Sequence, residues 1–198
     1  MIRDFALADF ITLANGVAGL VSIFAVLNYL VKGERVQLQI AMAMLPLAGL
    51  FDYLDGRVAR WRRRHSDLGA QLDSLADLVS FGVAPAVLGY GLGLRGGLDL
   101  VLLVYFVSCG LSRLARYNAT ATSLADDSGK VKYFEGTPIP TSILLVGGCA
   151  WLFSTGRIGA ALPWGSLELL GFDWHPISLV YFISGSAMIS KTLHVPKF

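Results

Sequence analysis

Leu50-Phe51-Asp52-Tyr53-Leu54-Asp55-Gly56 and Leu72-Asp73-Ser74-Leu75-Ala76-Asp77-Leu78 place four carboxylates inside apolar runs. The flanking sequence makes this unusual. Of the 198 residues 55% are hydrophobic and only 15% charged, and the mean hydropathy is +0.61. A soluble domain carries about 25% charged residues. That balance excludes an ordinary soluble globule and a disordered chain. A net charge of +2 gives no polyanion-binding surface, so no nucleic-acid partner is expected. Cys109 and Cys149 both lie in apolar runs and form neither a disulfide framework nor a metal motif.

A spanning helix needs about 20 mostly apolar residues. Six segments qualify, near 10–31, 37–61, 67–94, 98–117, 138–155 and 176–191. The expectation is an all-α integral membrane protein, a six-transmembrane-helix bundle forming one domain over residues 1–198. No run of alternating strands suggests a β-barrel. With both termini on one side, that side collects twelve Lys and Arg and the other keeps Lys32, Arg35, Arg95 and Arg157. The positive-inside rule then puts both termini, and loops 61–67 and 118–137, in the cytosol. Arg62, Arg63, Arg64 and His65 read as a topology anchor, and Lys130 and Lys132 as contacts to anionic headgroups. Segment 156–175 reads as an interfacial connection on the far side, with Trp151, Trp164 and Trp174 as anchors. Pro46 and Pro85 are expected to kink their helices at one level. Gly89 and Gly93 suggest close helix packing, inside the monomer or at a dimer contact.

Carboxylates in a membrane span cost several kcal/mol and mark functional sites. Residues three or four apart share a helix face, so Asp52 pairs with Asp55 and Asp73 with Asp77. With a turn near His65 and a rise of 1.5 Å per residue, all four lie roughly 12–20 Å from the turn. An antiparallel hairpin brings them to similar depth. Four anions at low dielectric need a counter-charge, and all-oxygen ligands suit Mg²⁺, Mn²⁺ or Ca²⁺. Gly56, Ala59, Gly69 and Ala76 leave room beside the acids, and Arg57 and Arg60 add cationic donors. Metal, arginine and small residues together suit a phosphate-bearing substrate. The bland reading pairs the acids with Arg57, Arg60, Arg113 or Arg116 as bundle glue.

Asp52-x-x-Asp55-Gly56-x-x-Ala59-Arg60, eight residues, then Gly69-x-x-x-Asp73-x-x-x-Asp77 resembles the signature of the CDP-alcohol phosphotransferases, with every position filled. Arg113-Leu114-Ala115-Arg116-Tyr117-Asn118, the stretch Phe134 to Ser142, and the ending Met188 to Lys197 are similar to the phosphatidylserine synthase branch, and the final stretch most resembles its fungal and other eukaryotic forms. The resemblance implies six transmembrane helices, a cytosol-facing metal site, a homodimer, and an endoplasmic reticulum membrane in a eukaryote. It implies an enzyme in which the hydroxyl of L-serine attacks the diphosphate of CDP-diacylglycerol and CMP leaves. Asp52, Asp55, Asp73 and Asp77 correspond to the metal-binding acids, holding two Mn²⁺ or Mg²⁺ ions. Asp77 corresponds to the general base. Gly56, Ala59, Arg60 and Gly69 correspond to the CDP-binding part.

Other roles are read from position. Thr12 and Asn15, at the cytosolic end of the first span, can hydrogen-bond the cytidine or a metal ligand, or bond between helices. Arg113 and Arg116 offer guanidinium forks to the serine carboxylate, or act as anchors. Asn118 and Glu135 are candidates for the serine ammonium. The competing readings are the same chemistry on inositol, inositol phosphate or glycerol phosphate, and a cation-coupled transporter. A phosphorylated acceptor needs a further basic cluster, and a transporter of this size needs duplication or oligomerisation, with no repeat visible in the sequence.

Overall fold

The computed structural model describes residues 7–62, 67–124, 133–169, 171–190 and 194–196. The chain is overwhelmingly helical. The first apolar run forms α1 (Leu7–Lys32) and the second α2 (Arg35–Arg62). Gly33 separates them at φ 72°, and its N–H returns to the carbonyl of Tyr29 at 2.8 Å. A glycine in the left-handed region is the usual stop for a helix, because it carries no Cβ to clash. The two helices pack along one another as a hairpin.

The third run is one continuous helix with a change of pitch. It begins as α3 (Asp67–Asp77), widens to a π-helical turn over Leu78–Val83, and resumes as α4 (Ala84–Leu92). The widening has a local cause. Pro85 lacks an N–H, and its ring would collide with the carbonyl of Phe81 in a regular helix. Ala84 instead donates to the carbonyl of Val79, five residues back. The expected kink at Pro85 is therefore a π-turn. Pro46, by contrast, sits inside an unbroken α2. Then α5 (Gly97–Leu124) runs seven residues beyond the predicted end of the fourth span, into what the sequence suggests is loop.

Four helical stretches are long and apolar enough to cross a membrane: Ala8–Lys32, Arg35–Val58, Leu68–Leu92 and Gly97–Ala119. The last two apolar segments are shorter. A 3₁₀ turn (Ile139–Ser142) leads into α6 (Ile143–Ser154), and another (Pro176–Ser178) into α7 (Leu179–Ile189). Each unit spans roughly 20–25 Å against a hydrocarbon core of about 30 Å. Large apolar side chains cover the outside, with Phe24 62% and Val104 66% exposed. Such a belt belongs in lipid.

Inside, Phe81, Phe106, Tyr181, Ile139 and Met188 form one buried cluster. The rings of Phe106 and Tyr181 meet edge to face at 5.4 Å. Val26, Leu38, Leu45 and Leu88 form a second cluster. Two short antiparallel pairs were not foreshadowed by any alternating pattern. β1 (Tyr133–Glu135) pairs with β4 (His194–Pro196), and β2 (Leu167–Leu169) with β3 (Phe172–Trp174). Three-residue strands are too short to show a period. The first pair ties the lead-in of the fifth segment to the C-terminal tail.

Candidate active site

Three helices bring the acids together. Glycines on α1 make the approach possible. A Cβ on Gly16 would meet that of Ala76 at 3.5 Å, and one on Gly19 would lie 2.5 Å from Ser80 Oγ and 2.8 Å from Ser80 Cα. The latter gap admits no side chain, so α1 lies directly against the third helix. The polar residues of α1 follow the same stripe: Asp9, Thr12 and Asn15 are spaced by three and all buried.

Each of these side chains serves an acid. Thr12 Oγ1 donates to Asp55 Oδ2 at 2.6 Å. Asn15 Nδ2 donates to Asp77 Oδ1 at 3.1 Å. Asp9 lies close enough to Asp55 to act on its charge. Ser80, in the π-turn, donates to the main-chain carbonyl of Asn15 at 2.9 Å. The π-turn thus fixes the depth of Asn15 relative to Asp77, one turn away.

Carboxylate oxygens of Asp52, Asp55 and Asp73 all lie within 4.8 Å of one another. Asp77 is in electrostatic contact with all three. Asp55 and Asp77 are buried, and Asp52 and Asp73 half-buried. Among the described side chains no Lys, Arg or His comes within ion-pairing distance of the four. Arg57 turns away, its guanidinium 5.5 Å from the ring centroid of Tyr53 and its Nη1 donating to the Tyr53 hydroxyl. The bundle-glue reading therefore fails for Arg57. A set of converging oxygen donors without a paired cation fits a hard divalent ion, which takes carboxylate oxygens and water. Among the described residues the buried Oδ1 of Asn15 has no hydrogen-bond partner.

The α5 helix closes the other side. Arg113 lies near enough to Asp77 for their charges to interact, and its buried Nε has no hydrogen-bond partner among the described residues. Asn118 Nδ2 donates to Ser74 Oγ at 3.0 Å, so its amide joins α5 to the turn of α3 between Asp73 and Asp77. Arg116 is half-buried one turn beyond Arg113. Gly56 is open, with nothing within 4 Å of a Cβ placed on it. Ala59 and Arg60 follow in the last turns of α2, and Gly69 sits in the first turn of α3. Glu135 pairs through its backbone with His194. His65, Arg63, Arg64, Lys130 and Lys132 lie outside the described residues, as do the side chains of Arg60, Arg62 and Glu135.

Sequence reasoning missed Asp9, Ser74, Ser80 and the glycines at 16 and 19. Gly16-x-x-Gly19 on the first span was the available signal, since small residues three or four apart mark close helix contacts.

The sequence model of the CDP-alcohol phosphatidyltransferase family matches residues 5–172, so the chain belongs to that family. It is 48% identical over 200 residues to the CDP-diacylglycerol–serine O-phosphatidyltransferase of Saccharomyces cerevisiae, covering 100% of this chain and 72% of the yeast protein. It is 36% identical over 200 residues to the protein of the same name from Methanocaldococcus jannaschii, covering 99% of this chain and 88% of that one. It is also 34% identical over 144 residues to the archaetidylserine synthase of Methanothermobacter thermautotrophicus, covering 71% of this chain and 56% of that protein.

Proposed function

We propose that this protein is a membrane enzyme that transfers the phosphatidyl group of CDP-diacylglycerol to the hydroxyl of L-serine, giving phosphatidylserine and CMP. The observation that carries this reading is the four-carboxylate cluster, clasped by α1, in a chain that aligns over essentially its own whole length with relatives bearing that activity in their names.

Asp52, Asp55, Asp73 and Asp77 would hold the divalent metal, Mg²⁺ or Mn²⁺, in one or two positions. When bound, it neutralises the diphosphate and stabilises the charge leaving on CMP. Asp77 is the proton acceptor. Its Oδ1 is held by Asn15, which fixes the carboxylate in place to take the serine proton. As that proton moves to Asp77, the serine oxygen bonds to the phosphatidyl phosphorus and the bond to the CMP oxygen breaks. Gly56, Ala59, Arg60 and Gly69 border the CDP moiety, where absent or small side chains admit it. Thr12 and Asn15 act by holding Asp55 and Asp77. Arg113 and Arg116 receive the serine carboxylate, supported by the unpartnered Nε of Arg113 beside Asp77. Glu135 takes the ammonium. Asn118 spends its amide on Ser74 and fixes this wall.

The charge bias supports placing both termini and the carboxylates on the cytosolic side, and the family resemblance supports one domain over residues 1–198 with six spans and, in a eukaryote, the endoplasmic reticulum as its membrane. The short α6 and α7 units then cross with the bilayer thinned around them. We also read the working unit as a homodimer. Radiolabelled CMP release from CDP-diacylglycerol, with and without serine, tests the assignment. Serine-dependent release is expected. Release that answers instead to inositol, inositol phosphate or glycerol phosphate reassigns the acceptor, and no release with any of them removes the enzyme reading.

A further inference from the structure

A cavity of about 190 Å³ lies between α4, α6 and α7, running along α6 from Leu144 and Leu145 near its start to Leu152 near its end. Gly89, Leu92, Leu145, Gly148, Trp151 and Tyr181 are among its lining residues, and the wall is almost wholly apolar. Its α4 end lies apart from the catalytic site: from Asp77 to the lining residue Leu92 the third helix rises about 22 Å. Its outer rim faces the membrane side of the protein, with Leu144 79% and Trp151 55% exposed.

Its rim ends in a charge. The Arg157 guanidinium lies 5.5 Å from the ring centroid of Trp151, and the Arg157 N–H is fixed to the carbonyl of Leu152 at 2.8 Å. Arg157 is exposed and has no ion pair among the described residues. Arg95, just after the lining residue Leu94, is held similarly over Tyr90 at 5.6 Å. An apolar groove running inward from an arginine on an interfacial tryptophan matches one kind of molecule, with a hydrocarbon tail and a phosphate at its head.

We propose that this groove is a phospholipid-binding site separate from the catalytic one. One acyl chain lies between α4, α6 and α7, and the headgroup phosphate is held by Arg157. The bound lipid fills the gap that two short helices leave beside longer neighbours, and it braces α6 and α7 against α4.

Two neighbouring glycines make the test selective. Gly148 lines the groove and Gly147 does not, and a Cβ at either meets nothing within 4 Å. Leucine is the better helix former at both, so Gly148→Leu puts a side chain into the groove and Gly147→Leu is its matched control. Wild type, both variants and Arg157→Ala are purified in mild detergent, stripped of lipid and titrated with dioleoyl phosphatidylglycerol. Native mass spectrometry counts bound lipid, and size-exclusion chromatography with light scattering reports the oligomer. Wild type and Gly147→Leu should share one saturable binding step that Gly148→Leu weakens at least about tenfold, and Arg157→Ala about fivefold. Diolein, which lacks the phosphate, should bind wild type and Arg157→Ala alike. Lipid held at the carboxylate end is unaffected by these changes and appears as a separate step. Equal lipid binding by Gly148→Leu and Gly147→Leu overturns the proposal. So does a change of oligomeric state in Gly148→Leu with lipid binding intact, which assigns the groove to a second copy of the chain.

Discussion

The two ends of this bundle both bury carboxylates, and they treat them in opposite ways. At one end Asp99, fully buried near the start of α5, is saturated with donors. It accepts the N–H of Gly96 at 3.0 Å, the N–H of His175 at 2.9 Å, and meets His175 Nδ1 at 2.6 Å. The bond from Gly96 is half of a capping box, the third helical residue reaching back to the cap. His175 ties the same carboxylate to the segment before α7. At the other end four acids crowd together, with one hydroxyl and one amide donating to them from α1. Asn15 Oδ1 and Arg113 Nε, on residues that touch this cluster, have no hydrogen-bond partner among the described residues. A buried acid whose lone pairs are all filled by its own chain is a fastener. Acids left short of donors are arranged for something else to bind.

The largest expected effect comes from exchanging one acid at each end. Asp77→Asn keeps the shape and a bond to Asn15 but cannot accept the serine proton. CMP release should fall about 10²–10⁴-fold, with an unchanged melting temperature. Asp99→Asn should do the reverse. Activity should stay within about twofold, while stability drops by about 1–3 kcal/mol as the donors around it lose their partner. Thermal unfolding and CMP release on both variants check this. A normally active Asp77→Asn protein would show the donor-poor end to be structural after all.

Metal removal addresses the same contrast. Excess chelator should abolish CMP release, and added Mn²⁺ should restore it. Electron paramagnetic resonance should show Mn²⁺ binding that Asp52→Asn weakens and Asp99→Asn leaves alone. Full activity in chelator would sink the metal assignment.

How far the sequence could be read differs at the two ends for the same reason. Asp52, Asp55, Asp73 and Asp77 were legible because each interrupts an apolar run, and their three- and four-residue spacings fix shared faces. Asp99 was passed over. It stands beside Gly96 and Gly97 at a helix start, where an acid is ordinary, and its partner His175 lies 76 residues away. The long spans were legible from hydropathy. The π-turn was not, because Pro85 announces a disturbance without saying whether the helix kinks or widens. Thr12 and Asn15 stood out as polar residues near one end of the first span. Only the packing of α1 on the third helix shows which acid each one holds.

A smaller effect tests that packing. Gly19→Ala puts a methyl group into Ser80, a main-chain contact included, and overpacking of this kind costs about 1–3 kcal/mol. Because α1 carries Thr12 and Asn15, a shift there should also raise the Mn²⁺ concentration needed for half-maximal activity. Gly56→Ala, at an open position, should leave stability unchanged. If Gly19→Ala lowers stability but not Mn²⁺ affinity, α1 supports the fold without positioning the acids.

The smallest and sharpest effect concerns the two arginines of α5. Arg113 and Arg116 are one turn apart, and Arg113 is the one whose charge reaches Asp77. If Arg116 grips the serine carboxylate through both arms of its guanidinium, Arg116→Lys loses one of two parallel bonds. A charge-assisted hydrogen bond contributes about 1.5–3 kcal/mol, so the serine KM should rise roughly tenfold or somewhat more. That interaction is present before and during the reaction, so kcat should hardly change. Arg113→Lys, closer to the reacting groups, should lower kcat as well. A rise only in the KM for CDP-diacylglycerol would make Arg116 a reader of lipid phosphate and leave the carboxylate to Arg113. If neither constant moves, Arg116 is a membrane anchor, and serine is held by Arg113 with the lead-in to α6.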